Sequence, residues 1–298
     1  MKNGFSEIAC RSGNVPDTLV GRCSLCLVFS VILALLLSTL PLLAAELQAK
    51  TAQAWEQYLR YADQKVEREL ALKDRFLIAD YLAPKEQAEV RRKLQAGQIF
   101  SDKVRGVVPS GTSFSVPDGE IHHWWGTILL PNIQLSDLLA FLKDYDHHAG
   151  RFEDVQNSRL ISKQDDYYRF YFRLKHSQAI ITAYYNTEQE CQYKTWDANH
   201  VSSRSNAYKI AELENADTPT EREKPPGNDR GFMWKLVSWW RFEQGDKGVI
   251  VELESASLSR DIPLVVKLIP GVSDYIRSTP RKTLESILTS IRDCTAAH

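Results

Sequence analysis

Between Tyr168 and Lys175 the chain alternates strictly, with Tyr168, Phe170, Phe172 and Leu174 interleaved by Arg169, Tyr171, Arg173 and Lys175. A period of two sends successive side chains to opposite faces of an extended chain, so this segment is a strand of an antiparallel sheet with one face buried. Further extended segments are read at Ile121 to Leu130, Val155 to Ile161, Ala179 to Tyr185, Gln192 to Trp196, Val201 to Glu212, Gly231 to Phe242 and Gly248 to Leu258. Pro131-Asn132 stops the first of these, and Glu243 to Gly248 reads as a hairpin turn between the two longest.

Helical periodicity interrupts this pattern at both ends and once inside it. Trp55, Tyr58, Leu59, Ala62, Val66 and Leu70 form a stripe on an otherwise charged segment from Thr51 to Leu70, and such a stripe needs a surface to cover, on the following domain or on a partner chain. Leu72 to Leu82 reads as helix as far as Ala83-Pro84. Residues 101 to 120, with Pro109, Gly111, Pro117 and Gly119, read as an irregular linker. Leu135, Leu138, Leu139 and Leu142 place a helix after the first strand, and Leu284, Ile287, Leu288 and Ile291 place another at the end, with Thr279 as cap and Pro280 at the first helical position. Asn215 to Arg230 is a polar loop longer than ordinary connections, which reads as a pocket mouth or as a mobile segment. The order is met by an α+β fold in which one curved antiparallel sheet wraps a long C-terminal helix, preceded by a helical extension over residues 46 to 100.

The N-terminus departs from all of this. Cys23 to Ala45 carries no charge, Lys2, Arg11 and Arg22 precede it, and Glu46 follows it, an asymmetry that sends the remainder across a membrane. Leu43-Ala44-Ala45 offers the small residues of a signal-peptidase site behind Pro41, so residues 1 to 45 are expected to be a signal peptide cut after Ala45. The alternative is an uncleaved anchor, since a bilayer needs only about 20 apolar residues. Val20, where a compact leader would begin, is a candidate for the true start. Either way the mature chain is periplasmic or otherwise extracytoplasmic, in contact with the membrane at least transiently. Cys191 and Cys294 then remain in an oxidising compartment, as a disulfide or as two separate thiols, and spacing alone does not choose.

The order of elements, together with His123 to Leu130, Asp144-Tyr145-Asp146, Ser238 to Phe242 (SWWRF), Glu252 to Pro263 (ELESASLSRDIP) and Thr279-Pro280-Arg281, resembles the START/SRPBCC superfamily of lipid-transfer and polyketide-cyclase-like domains over residues 117 to 296. The resemblance implies a helix-grip fold whose sheet and closing helix enclose a cavity for an apolar molecule such as a lipid, sterol or polyketide. The superfamily has no universal catalytic signature, so the ligand stays open. Aromatic side chains suit such a wall, and the candidate ligand-binding residues are Trp124, Phe170, Phe172, Tyr184, Trp239 and Trp240, with Arg241, Glu252 and Glu254.

The charged members of that set need an orientation. With Glu243 paired to Gly248, Arg241 falls opposite Ile250 and Trp239 opposite Glu252, and Arg241, Glu252 and Glu254 share one face. Facing the cavity they would bind a polar ligand end or act as acid and base; facing outward they would form a cross-strand ion pair worth at most about 1 kcal/mol, and outward is the expectation. Asp144, Asp146, His147 and His148 read as a polar helix terminus rather than a metal site, and His122 and His123 must point to opposite faces. Arg91-Arg92-Lys93 reads as a solvated face. The chain carries no Gly-x-Ser-x-Gly elbow, phosphate-binding glycine loop or Cys-x-x-Cys, and no cofactor or catalytic residue is assigned. A net charge of -1, from 37 basic and 38 acidic residues, offers nucleic acid no field, and 43% apolar residues describe an ordinary globular chain of open oligomeric state. Three readings follow: a carrier or sensor of an apolar molecule, a cyclase-like enzyme, or an envelope interaction module using the Trp55 to Leu70 stripe.

Overall fold

A computed structural model describes residues 47–72, 74–178, 181–262 and 272–295, and in it the alternating segments pair as one antiparallel sheet. Its strands are β1 (Phe100–Lys103), β2 (Gly119–Pro131), β3 (Val155–Gln164), β4 (Tyr167–Gln178), β5 (Ile181–Thr195), β6 (His200–Glu214), β7 (Arg222–Glu223), β8 (Lys235–Gly245) and β9 (Gly248–Arg260). The spatial order is β1-β2-β9-β8-β6-β5-β4-β3, with β7 paired to β6. The helices are α1 (Ala49–Leu70), α2 (Pro84–Gln95), α3 (Leu135–Lys143) and α4 (Val272–Thr295).

The alternation assigns the faces. On the inner face Ile128, Leu130, Val249, Val251, Leu253, Phe242, Tyr168 and Phe170 meet Leu284, Leu288 and Ile291 of α4 and Leu135, Leu138 and Leu142 of α3. Each such side chain, fully buried, is worth about 1.5–3 kcal/mol, which fixes α4 in the curve of the sheet as the helix-grip arrangement requires. The helix runs along β2: Arg277 pairs with Glu120 at 2.9 Å, the Arg281 guanidinium lies 5.8 Å from the Trp124 ring, and Leu284 and Leu288 crowd Gly126. A Cβ at Gly126 would stand 2.6 Å from Leu284 Cδ2 and 3.0 Å from the Phe100 carbonyl oxygen. Gly126→Val is therefore expected to cost about 1–3 kcal/mol by overpacking, read as a lowered thermal midpoint; an unchanged midpoint would mean that helix and sheet do not meet this closely.

The outer face of the central strands is covered as well. Trp55, Ala62 and Val66 of α1 lie on Val237, Trp239, Ala256 and Leu258, and Ile78 and Val90 pack with Trp125. The stripe on the N-terminal extension thus finds its surface on the sheet of its own chain.

Several boundaries differ from the sequence reading, each for a local reason. Leu72 to Leu82 is not a helix; only Ile78–Tyr81 closes a 3-10 turn. The Asp80 carboxylate takes the Leu77 N–H at 2.9 Å, while the N–H groups of Ile78 and Ala79 go to Glu252 on β9, so tertiary acceptors claim donors that a helix would use. Pro84 opens α2 instead of only ending what precedes it, because its missing N–H costs nothing in a first turn. The linker over residues 101 to 120 begins as β1, paired to β2. Of the segments read at Ala179 to Tyr185 and Gln192 to Trp196, residues 181 to 185 and 192 to 195 belong to one strand, β5, while residues 179 and 180 lie outside the described residues; its middle alternates inward Thr187 and Gln189 with outward Asn186, Glu188 and Glu190 and so shows no apolar period. Pro280 lies inside α4, which continues through it and forgoes one backbone hydrogen bond. The long loop is tied down: the Glu212 carboxylate accepts from Lys224 Nζ at 2.6 Å and from the Arg230 backbone N–H at 2.8 Å, and Arg173 pairs with Asp217 and Glu221.

Candidate functional site

The inner face is filled at one end and not at the other. Around α3 and the C-terminal half of α4 its side chains are fully buried, whereas Trp124, Phe172, Leu174, Leu236, Ser238, Trp240, Ser255 and Ser257 are only half-buried. The register lays those of β2, β8 and β9 together: Ser205 pairs with Ser238, Ser238 with Ser255, and Ser255 with Trp124, while Trp240 stands between Ser203 and Leu253. Trp240 stacks on Phe242 with ring centroids 5.9 Å apart and planes at 10°. The less buried end of the inner face thus carries Trp124 and Trp240 around a row of short hydroxyl side chains.

Of the candidate wall residues, Trp124 and Trp240 stand at this stretch; Phe172 also faces inward, on β4, against Tyr145, His148 and Phe170. Phe170 faces the same way but is core, stacked on Tyr145 at 4.0 Å. Tyr184 and Trp239 are on the opposite face. Tyr184 donates to Asp217 at 2.8 Å beside the Arg173 guanidinium, and the Trp239 indole donates to Asp63 of α1 at 2.9 Å. Of the two readings of the cysteines, the structure has the separate one: Cys191 and Cys294 are free thiols. Cys191 is core on β5, where burial pushes its thiol up to about 11, and Cys294 reaches the Arg151 carbonyl from the last turns of α4.

Arg241, Glu252 and Glu254 point away from α4, as expected, yet they are not at the surface. The hairpin closes on Gly245 and Gly248, not Glu243 and Gly248, so Arg241 stands opposite Glu252 and Trp239 opposite Glu254. A shift of two residues leaves every face unchanged, which is why the three remain together. Their exposures are 1%, 0% and 0%, because α1 and the 3-10 turn cover them. The exposed ion pair of the sequence reading is instead a buried cluster. Arg241 donates to the Phe76 carbonyl at 3.0 Å and pairs with Glu69 of α1. Glu252 accepts from the Ile78 and Ala79 N–H groups at 2.5 and 3.2 Å. Glu254 lies 3.0 Å from His123 Nε2 and 3.8 Å from Lys65 Nζ, and the other His123 nitrogen meets Tyr58 Oη at 2.9 Å.

Burial pushes the Glu252 carboxyl up to about 7 against the pull of Arg241 and the two N–H groups. For Glu254 burial pushes the same way, but His123, Lys65 and Arg241 outweigh it and hold the carboxyl at about 2. Two carboxylates driven apart in this way are a recurrent acid/base arrangement. Here both are sealed under the N-terminal helices on the face opposite the inner space, so they fasten α1 to the sheet rather than meet a ligand there. Lys65, Glu69, Asp63 and Tyr58 were not foreseen. The available signal was Glu252 and Glu254 on the same strand face as Ile250, Ala256 and Leu258, since charges on a central strand require partners. Beside the cluster a cleft of about 540 Å³ opens between α1, α2 and β1, lined by Lys65, Arg68, Glu69, Tyr81, Arg105 and Trp125.

The polar helix end resolves into ordinary contacts. Asp144 meets His147 at 2.6 Å and Arg151 at 2.9 Å, and Asp146 accepts the Leu160 N–H at 2.8 Å. His148 turns inward among Phe141, Phe152 and Phe172, where burial pulls its imidazole down to about 4. His122 faces inward to Ser259 at 3.0 Å, opposite to His123. Among the described residues no three His, Cys, Asp or Glu side chains converge as a metal site, and no helix is long and apolar enough to cross a membrane. The uncharged run Cys23 to Ala45 lies outside the described residues.

No family model matches the chain, and no curated protein matches it. Solved structures do overlay on it. A STAR-related lipid transfer protein from Xanthomonas axonopodis is 14% identical, covering 61% of this chain and 95% of its own, with a TM-score of 0.40. The Zhui aromatase/cyclase from Streptomyces sp. R1128 is 9% identical over 58% of this chain and 93% of its own, with a TM-score of 0.38. The human StarD13 lipid transfer and protein localization domain is 11% identical over 72% of this chain and 97% of its own, with a TM-score of 0.39.

Proposed function

We propose that this chain binds a hydrophobic ligand between the inner face of its sheet and α4, and that it carries or senses that ligand outside the cytoplasm. The observation that supports the reading is the contrast along the inner face, packed solid at one end and half-buried at Trp124, Phe172, Leu174, Leu236 and Trp240. Apolar side chains left half-covered in a concave space are what an apolar ligand completes. The buried acids lie on the other face, which removes the observation that favoured an acid/base enzyme in this space. The α1 stripe is spent on the sheet, which removes the one that favoured an interaction module.

Native mass spectrometry and organic extraction of the full chain from an envelope fraction test this. An apolar molecule is expected to co-purify, and N-phenyl-1-naphthylamine is expected to brighten on the emptied protein and to bind about tenfold more weakly to Trp240→Ala, a loss of about 1.4 kcal/mol. A ligand-free mass together with no probe binding would overturn the reading. Export rests on the charge-flanked run before Glu46; a mature N-terminus at Glu46 is expected, and a cytosolic chain keeping residues 1 to 19 would refute it.

A further inference from the structure

Serine is a poor choice for the concave side of a sheet, where β-branched and aromatic residues fill the pleated surface. Yet Ser203, Ser205, Ser238, Ser255 and Ser257 all face inward, on three adjacent strands. Ser205, Ser238 and Ser255 pair in one row across β6, β8 and β9, and the row ends against Trp124 of β2. Ser257 stands beside it, between Leu236 and His122. Ser205 and Ser238 bond to each other at 2.8 Å. The hydroxyls of Ser255 and Ser257 have no hydrogen-bond partner among the described residues, and both side chains are half-buried.

Two properties of this row select a ligand. Short side chains fill less of the volume above the sheet than Trp124 and Trp240 to either side, and those of Ser238, Ser255 and Ser257 are half-buried. Neighbouring strands lie about 4.8 Å apart, so one ligand oxygen seated between β8 and β9 is within reach of Ser238 and Ser255 together. The side chains around the row, Leu236, Trp240, Leu253 and Trp124, are uncharged; the nearest cations, Arg281 and Lys103, stand at its edge over the Trp124 ring, Arg281 already paired with Glu285, so an ionised group seated on Ser238 would lack a buried counter-ion and be disfavoured. His122 adds no cation at neutral pH: burial lowers its basicity, and Ser259 occupies its Nε2.

We propose that the serine row is the polar recognition element of the inner space, so that its ligand is an apolar molecule bearing a neutral hydroxyl or carbonyl oxygen rather than a bare hydrocarbon or a fatty acid anion. This rests on the ligand-binding reading above. Two of Ser238, Ser255 and Ser257 bond the oxygen, and the flanking tryptophans hold the apolar body.

Matched probes separate this from the reading beneath it. Displacement of N-phenyl-1-naphthylamine from the full chain is measured with 2-naphthol against naphthalene, and with dodecan-1-ol against dodecane, so that ring and chain bodies are both tested. In Ser238→Ala/Ser255→Ala/Ser257→Ala the better-bound alcohol is expected to weaken at least tenfold while its hydrocarbon partner binds as before or more tightly. That fold-change corresponds to two hydrogen bonds of about 0.7 kcal/mol each. The retained hydrocarbon affinity reports a folded variant, and Ser255→Ala or Ser257→Ala alone, at half-buried positions, gives the same direction should the triple variant misfold. If alcohol and hydrocarbon affinities stay unchanged or fall together in the variants, the serine row does not recognise the ligand, although the space binds apolar molecules. If none of the four probes binds the unmodified chain, the ligand-binding reading falls as well.

Discussion

Arg241→Ala is expected to destabilise the protein by about 3–5 kcal/mol, the range for breaking a buried ion pair from one side. Arg241 is 1% exposed and is the cation between Glu252 on the facing strand and Glu69 on α1, with its remaining guanidinium hydrogen bond going to the Phe76 carbonyl. Its removal leaves Glu252, fully buried, with only the Ile78 and Ala79 N–H groups beside it, and cuts one of the links between α1 and the sheet. Urea unfolding followed by circular dichroism should give a lower midpoint with an unchanged slope, which marks lost stability rather than altered compactness. A loss under about 1 kcal/mol, the value of an exposed pair, would show that water reaches the cluster and that the N-terminal helices do not seal it.

That cluster shows where sequence reasoning succeeds and where it stops. Alternation is a property of neighbours along the chain, so it located the strands and, through them, which residues share a face. Arg241, Glu252 and Glu254 were grouped correctly even though the hairpin register was off by two residues, because a shift of two conserves faces. Nothing in β8 or β9 says what covers that face. The answer lies more than 170 residues earlier, in the α1 stripe, whose partner surface no local pattern names; the Ile78 N–H to Glu252 bond alone spans a separation of 174. Burial of the acids was legible only indirectly, since Ile250, Ala256 and Leu258 share their face and needed cover there.

The same limit governed the candidate wall. Tyr184, Trp239 and Trp240 are all aromatic residues on strands, and composition cannot distinguish them. Trp239 and Trp240 are consecutive, so they must face opposite ways; only packing tells which meets α4 and which meets Asp63. Serine was passed over in favour of aromatics because it is unremarkable one residue at a time. Its meaning appears when three strands align Ser205, Ser238 and Ser255 side by side, an order set by pairing across nonconsecutive strands β6, β8 and β9.

The two buried glutamates should give the stability of the protein a pH dependence with two opposed arms. Glu254 titrates at about 2 in the folded protein against an ordinary value of 4.5, so its contribution is present above 4.5 and is lost as pH falls towards 2. Glu252 titrates at about 7 against the same 4.5, so the folded state prefers it protonated; that contribution is full below 4.5 and is lost as pH rises through 7. Each displacement corresponds to about 3 kcal/mol, so stability should peak in mildly acid solution, where both contributions are largely retained. The groups around the pair are Arg241, Lys65, His123, Tyr58 and Asp80, with Glu69 bonded to both Arg241 and Lys65, so single substitutions must assign the arms. In thermal midpoints taken from pH 3 to 9, Glu254→Gln should flatten the acid arm and leave the alkaline one, and Glu252→Gln should do the reverse, its midpoint gaining on the unmodified protein above pH 7. Glutamine keeps the shape of each side chain and still offers an oxygen to the Ile78 or Ala79 N–H, so a change of slope reports the titration rather than lost packing. If both variants keep both arms, the acids that set the pH response lie elsewhere, and the N-terminal helices are held to the sheet by their apolar stripe.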